Sequence, residues 1–432
     1  MATVLEVHLY GRHAARLERH AHSTYRLHYT QEWLSSSSAV PLSTSLPLQP
    51  RPHSGTVLLR VLEGFLPDNP EVLQRWAREA GLPDSEVFGL LGQYGEDVAG
   101  AAIFVPPSDT PSRRGSLQPL SSEEIARRIR AIRQDPRAWT PPENDHRFSL
   151  GGAQGKFALA RHGESWLEPH GREPSTHIFK PGIDHFEDSD LLEHVVMRVA
   201  AELGLPVAGT AVHSFEEERA LVVERFDRIE IDNVVHRIHQ EDLAQASGTP
   251  TNRKYEKDGG PGIARITDLF YREADPSLVK ESLLLFGLSL VYSWLIGHND
   301  GHAKNYSLRL LSGRVGLTPL YDLGSFLPYL PSNRLAGKDP AFAHELELAF
   351  SIDGENRIGG LTRSHWRSLE RTLGLPRDVL IGWGIEAATE LMATVNKVID
   401  ELPAQFQTVV IDHFRIGAYL RQQSALSALS AG

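Results

Sequence analysis

Asp300-Gly301-His302-Ala303-Lys304-Asn305, followed by Leu320-Tyr321-Asp322-Leu323-Gly324, is the stretch on which the reading of this chain turns. It presents an aspartate, an asparagine five positions on (305 − 300), and then an apolar strand that ends in a second aspartate. That is the residue order of a phosphoryl-transfer site. Moving a γ-phosphoryl group requires an aligned acceptor hydroxyl and neutralised phosphate charge. Asp300 suits the first task, since its carboxylate can orient the hydroxyl and take its proton. Asn305 and Asp322 suit the second, as short hard-oxygen ligands for Mg²⁺, which takes few protein groups beside nucleotide phosphates. The same hexapeptide also fits a plain loop in which Asp300 caps a turn and Asn305 begins the next strand.

The residues upstream favour the chemical reading. A kinase needs a strand lysine to hold phosphates and a glutamate on the next helix to hold that lysine. Thr176-His177-Ile178-Phe179-Lys180 reads as the strand. Asp190-Leu191-Leu192-Glu193 opens a helix with Leu191, Leu192, Val195, Val196, Val199, Ala200 and Leu203 at helical spacing and Gly204 as its stop. Glu193 could pair with Lys180, or could close a capping box with Asp190. Before the strand lies Ser149-Leu150-Gly151-Gly152-Ala153-Gln154-Gly155-Lys156, whose small residues let backbone N–H groups approach phosphate oxygens, although a hairpin turn would use the same residues. It is not a Walker loop, because the spacing differs and no Ser or Thr follows Lys156. Arg219 to Arg228 reads as a buried strand running into a charged linker, with Phe226 a candidate to pack on adenine and Glu224 a candidate at the hinge; both could equally be ordinary structure.

With these motifs in order, the chain resembles the HipA family of serine/threonine kinase toxins from bacterial toxin–antitoxin modules. The segments that carry the resemblance are Ser149 to Lys156, His177-Ile178-Phe179-Lys180-Pro181, Val223-Glu224-Arg225-Phe226-Asp227-Arg228, Lys254-Tyr255-Glu256-Lys257-Asp258-Gly259-Gly260-Pro261-Gly262, Asp300 to Asn305, and Tyr321-Asp322. The resemblance implies an α+β, two-lobed protein-kinase-like fold with a small β-rich N-terminal domain and a helical C-terminal lobe. It implies ATP and Mg²⁺, with Asp300 as the catalytic aspartate and Lys180 and Glu193 beside it. Asn305 and Asp322 would lie at the metal. Gly151, Gly152, Ala153, Gln154, Gly155, Lys156, Glu224, Arg225, Phe226, His302 and Lys304 would stand on the nucleotide side. Ser149 would be a site of self-inactivating autophosphorylation, since a phosphoserine adds about −1.5 to −2 charges beside the triphosphate. A HipB-like helix-turn-helix antitoxin, operator DNA reached through it, and a translation component such as an aminoacyl-tRNA synthetase are the implied partners. Leu323 follows Asp322 where conventional protein kinases carry Phe, so their activation switch is not expected here.

Composition is consistent with this. A chain of 432 residues can bury a sizeable core. It has no cysteine, which excludes disulfides and thiolate metal sites and suits the cytoplasm. A formal charge of −11 argues against a broad nucleic-acid-binding face. Glu123 to Arg133 is the local exception, a helix with a basic face that is either balanced by its own glutamates or turned to a partner. No signal peptide is visible at Met1 to Glu6, and Ser282 to Ile296 is short for a membrane span, so no membrane contact is expected. The composition divides into 1–107 (accessory domain, with β-like runs at Thr56–Val61 and Val98–Val105 and a loose Ser/Pro-rich stretch Ser35–Ser54), a linker from Pro106 to Pro119, 120–228 (nucleotide lobe) and 229–432 (mostly helical lobe). Two other classes share the three-residue set: a small-molecule kinase, and a non-catalytic co-repressor scaffold.

Overall fold

The computed structural model describes residues 3–21, 24–107, 115–139, 148–330 and 345–430; positions 108–114 of the expected linker lie outside them. Two compact units emerge, one made of 1–181, 213–253 and 307–315, the other of 182–212, 254–306 and 316–432.

The first unit is built around the two largest sheets. Alternating apolar residues in Val4–Leu9, Arg12–Ala21 and Thr24–Tyr29 put Leu5, Val7, Leu9, Leu17 and Leu27 on a buried face. These strands form a five-stranded sheet with His53–Ser54 and Ala102–Val105 at its edges. Three helices, Thr56–Glu63, Pro70–Glu79 and Val87–Tyr94, share its core. Thr56–Val61, expected as a strand, is therefore helical: Leu58, Val61 and Leu62 lie on one helical face, and that stripe outweighs the β-propensity of Thr and Val. Ser35–Ser54 is irregular up to His53 as expected, yet it is not loose. Val40, Leu42 and Leu46 are buried, and Trp33 Nε1 donates to Val40 O at 3.0 Å.

The second sheet runs in the order Thr210–Phe215, Glu218–Glu224, His177–Pro181, Phe157–His162, Ser165–His170, Ser116–Pro119. Helix Ser122–Gln134 lays Ile125, Ala126, Ile129 and Ile132 on it against Phe157, Phe179 and Val222. Three of its four arginines are paired within this unit: Arg128 meets Glu168 at 2.8 Å, Arg130 meets Glu123 at 2.6 Å and Arg133 meets Glu218 at 2.7 Å.

The second unit is mostly helical, with Ser189–Glu202, Ile263–Glu273, Val279–Ile296, Arg363–Leu373, Val379–Asp400 and Val409–Ser430. Val279–Ile296 is long and apolar enough to cross a membrane, but it is the core of this unit. Its serines cost little there because each is hydrogen-bonded: Ser289 Oγ donates to Phe286 O at 2.7 Å and Ser293 Oγ to Ser289 O at 2.8 Å, while Ser282 Oγ accepts from Leu317 N at 3.0 Å. The division of chemistry-bearing segments into sheet-rich and helix-rich parts agrees with the α+β expectation.

Candidate active site

In the helical unit, Val279–Ile296 delivers the aspartate loop. Gly297, at φ +67°, ends the helix in the left-handed region, and a Cβ there would come within 2.9 Å of the Leu327 side chain. The chain then turns at once into His298, Asn299 and Asp300. The loop closes on itself: His302 N donates to Asp300 O at 2.8 Å, Asn305 N to His302 O at 2.9 Å, and Asn305 Nδ2 to Asp300 O at 2.9 Å. The last bond fixes the amide orientation and leaves Asn305 Oδ1 as the side chain's acceptor.

Asp322 is held from two directions. Leu320 N donates to Pro206 O at 2.9 Å and Ala208 N to Leu320 O at 2.8 Å, so the segment leans on the turn that follows the Glu193 helix. Tyr321 OH donates to Lys304 O at 2.9 Å, and Gly324 N donates to His298 Nδ1 at 3.3 Å. Asp322 itself has φ +60°, a conformation that aspartate tolerates better than most residues. Asp300 and Asp322 both act electrostatically on His298, His302 and Tyr255, which places the two carboxylates in one neighbourhood with Asn305. Burial lowers His302 to about 4, with Lys254 adding to the effect, so the ring is neutral at pH 7. Burial likewise lowers His298.

Glu193 is buried on Ser189–Glu202. The capping-box alternative fails, because the helix begins two residues earlier than Asp190 as cap would require: Asp188 is the cap residue, at φ +54°, and makes no side-chain capping bond. Tyr292 OH donates to Val196 O at 2.7 Å and so ties this helix to the one that carries the aspartate loop.

In the sheet-rich unit, Lys180 lies on His177–Pro181, paired with Leu221 in register, and its side chain is buried. A buried ammonium is tolerated only with polar partners, so such a lysine is not the snorkelling residue that a strand end could carry. The glycine loop is compact. Gln154 Nε2 donates to Pro181 O at 3.1 Å, just past Lys180, and Asp68 N donates to Gly152 O at 3.0 Å. Lys156 Nζ donates to Gly151 O at 2.7 Å and stands 5.3 Å from the Trp139 ring centre. Gly152 has φ +100°, a conformation that favours glycine, and a Cβ there would displace the end of the Lys156 side chain, whose Nζ lies 2.7 Å away. Lys156 braces the loop from beneath, while Ala153 is exposed at its tip.

Ser149 is fully buried. It sits on the short strand Phe148–Ser149, parallel to Asp97–Val98, and its Oγ donates to Phe65 O at 2.6 Å. Glu224 is exposed at the end of its strand and Phe226 is half-buried. Arg225, expected on the nucleotide side, faces the other way. Its guanidinium donates to Asp227 Oδ1 at 3.0 Å, Ser175 Oγ at 2.9 Å and Val98 O at 2.8 Å, within a buried cluster that also holds Asp97 and Arg228. The physical reason is charge balance: burial alone would raise the Asp227 carboxyl, and Arg225 with Arg228 more than offsets that and holds it well below the usual range. Arg225 is therefore a strut. The residues that sequence reasoning underweighted are His298, two positions before Asp300, and Tyr255, whose contact with Asp300 spans 45 positions and leaves no local signal.

Among the described residues no group of three or more His, Cys, Asp or Glu side chains gathers as a metal cluster. The Asn305/Asp322 pair is a different kind of donor set, one amide oxygen and one carboxylate. Its hard oxygens fit Mg²⁺, which keeps waters and needs few protein ligands.

Comparison with known proteins bears on the family and the fold. Residues 148–406 match the HipA-like C-terminal domain and residues 5–105 the HipA N-terminal domain. The chain is 30% identical over 395 residues to the serine/threonine-protein kinase toxin HipA of Shewanella oneidensis, covering 88% of this chain and 85% of that protein. It is 34% identical over 333 residues to a Sinorhizobium fredii protein named "Putative kinase Y4mE", covering 76% and 78%. Its fold is similar to that in the solved Shewanella oneidensis complex of HipA, HipB and operator DNA, with a TM-score of 0.82, 28% identity and 98% of each chain covered. The expected kinase-like α+β fold and the expected enzyme class are those of these relatives. The chain belongs to the HipA family of serine/threonine-protein kinase toxins.

Proposed function

We propose that the protein uses ATP to phosphorylate a serine or threonine of a protein substrate, and that it acts as the toxin of a HipA/HipB-like pair. The observation that carries this reading is the closed Asp300–Asn305 loop with Asp322 beside it, in a chain of this family. Asp300 accepts the proton as the acceptor oxygen forms its bond to the γ-phosphorus and the bond to the β-phosphate oxygen breaks, the electron pair leaving with ADP. Asn305 Nδ2 holds the loop that aims Asp300. Asn305 Oδ1 and Asp322 are the residues that would hold Mg²⁺, which supplies neutralisation of phosphate charge when bound. Lys180 and the backbone of Gly151 to Gly155 bind phosphates, with Lys156 keeping the loop in shape. Glu193 supports Lys180, Glu224 and Phe226 serve the adenine, and Lys304 adds positive charge beside neutral His302.

Ser149 is proposed as the self-inactivation site. Because it is buried, its modification requires the Phe148–Ser149 strand to leave Asp97–Val98, and a dianionic phosphate would then oppose return to a site that closes on Phe65 O. We assign a HipB-like antitoxin as partner, with operator DNA reached through it, on the likeness to the solved complex. A translation component, with an aminoacyl-tRNA synthetase as the leading class, is the proposed substrate, and the cytoplasm the proposed site of action. The three-part division 1–107, 120–228 and 229–432 belongs to the same proposal; the separate family matches at 5–105 and 148–406 support its first boundary, and the match that runs through 228–229 leaves the second as part of the proposal. Phosphoproteomics after brief induction tests this: wild type should add phosphate to a small set of serines or threonines and arrest growth, and Asp300→Asn should do neither. Arrest by Asp300→Asn equal to wild type would refute a catalytic toxin.

A further inference from the structure

Tyr255 lies in a segment that carries the family resemblance, yet motif order gives it no role at the catalytic carboxylate; its hydroxyl donates a hydrogen bond to Asp300 Oδ1. The ring is held on both sides. Ala303 N donates to Lys254 O at 3.2 Å, which joins the residue before Tyr255 to the aspartate loop. Gly260 N returns to Tyr255 O at 2.9 Å and Asp258 N at 3.1 Å, closing the turn that follows. Glu256 anchors that turn by accepting from Ser351 N at 2.6 Å. The ring meets the His302 ring edge-on, with centres 4.9 Å apart and planes at 81°, and Lys254 Nζ lies 5.8 Å from its centre. A tyrosine fastened this way keeps its hydroxyl in place.

Asp300 needs such a partner. Its side chain is 57% exposed, and its other near neighbour, His302 Nε2 at 3.9 Å, is beyond hydrogen-bond distance. Among the described residues, Tyr255 is thus the donor on this carboxylate. An exposed carboxylate without a donor samples several rotamers, and only some direct an oxygen at an acceptor hydroxyl.

We infer that Tyr255 is a positioning residue for phosphoryl transfer: by engaging Asp300 Oδ1 it orients the carboxylate so that Oδ2 receives the acceptor's proton. This rests on the kinase reading above, in which Asp300 is the proton acceptor. Burial and the Asp300 charge both push the Tyr255 hydroxyl above its ordinary value, so it remains a donor across the working pH range. The connector Arg253–Gly262 then has a purpose beyond linking helices, since its two short turns present one phenol to one carboxylate.

The test uses the full chain, labelled ATP, and dephosphorylated casein as acceptor. Tyr255→Phe keeps the ring and removes the donor. It should lower kcat about 10-fold, the effect of one charge-assisted hydrogen bond, with KM for ATP within about twofold of wild type and an unchanged melting temperature. Tyr255→Trp, which returns an N–H donor, should recover part of the loss. Placed on Asp300→Asn, Tyr255→Phe should lower the residual rate no further, because it acts through Asp300. Wild-type or higher kcat in Tyr255→Phe, or a full additional loss on Asp300→Asn, overturns the inference and leaves the kinase reading standing. Wild-type transfer by Asp300→Asn alone overturns the kinase reading and the inference with it.

Discussion

Replacing Asn305 by aspartate separates the two tasks that the structure gives this side chain. The amide nitrogen donates to Asp300 O at 2.9 Å, and the amide oxygen is left for a cation. Aspartate keeps an oxygen and loses the donor. Asp300 O still accepts from His302 N at 2.8 Å, so it is not orphaned, and the lost bond costs about 1 to 1.5 kcal/mol. The new carboxylate also faces that carbonyl oxygen from a site only 6% exposed, which adds about 1 kcal/mol of repulsion. Together these loosen the aim of Asp300 by about 2 to 2.5 kcal/mol, or about 30- to 70-fold in kcat. Cation affinity moves the other way, because a second carboxylate joins Asp322. The assay is steady-state transfer from labelled ATP while Mg²⁺ is titrated. Asn305→Asp should show low kcat with half-saturating Mg²⁺ at or below the wild-type value, whereas Asn305→Ala should lose both. An Asn305→Asp enzyme whose kcat stays within threefold of wild type would refute the loop-closure reasoning.

Asp227→Asn leaves Arg225 and Arg228 buried without their full countercharge, and should cost about 3 kcal/mol in chemical denaturation; a loss under 1 kcal/mol would show that the cluster is not a strut. Glu241 is buried, accepts from Ser43 Oγ at 2.5 Å and Thr44 N at 2.8 Å, and is raised to about 7 by burial, with Asp242 adding to it. The fold therefore prefers its protonated form: this contribution is complete below the unfolded value near 4.5 and is lost as pH rises through 7. Wild type should lose about 2.5 kcal/mol between pH 5 and pH 8 relative to Glu241→Gln, as read from denaturation curves; parallel curves would refute it. Protein made with ATP present should carry phosphate on Ser149 by peptide mass spectrometry and show faster amide exchange at Val98, and Asp322→Asn protein should show neither.

The chemistry was more legible in the sequence than the supports around it. Asp300, Asn305 and Asp322 are close in the chain and are delivered by a long apolar helix, so order and spacing were enough to draw them together. The Glu193 helix was legible from its 3.6-residue stripe. Thr56–Val61 misled because its five apolar or β-branched residues suit a strand or a helix face equally, and only packing beneath the N-terminal sheet decides. Ser35–Ser54 looked solvated by composition, but its scattered Val40, Leu42 and Leu46 are what the core takes up. Arg225 and Glu224 are adjacent, yet one turns inward and the other outward. That alternation is ordinary for an extended chain, but which residue meets Asp97, over a hundred positions away, is set by tertiary structure. Tyr255 reaches Asp300 for the same non-local reason.

The most direct measurement of the central claim is phosphoryl transfer by Asp300→Asn protein whose ATP binding is measured in parallel by calorimetry with Mg²⁺. The account predicts nucleotide binding within a fewfold of wild type and transfer reduced by three orders of magnitude or more, about 4 kcal/mol of barrier. Transfer at the wild-type rate, or no Mg²⁺-dependent ATP binding by the wild-type protein, would contradict it.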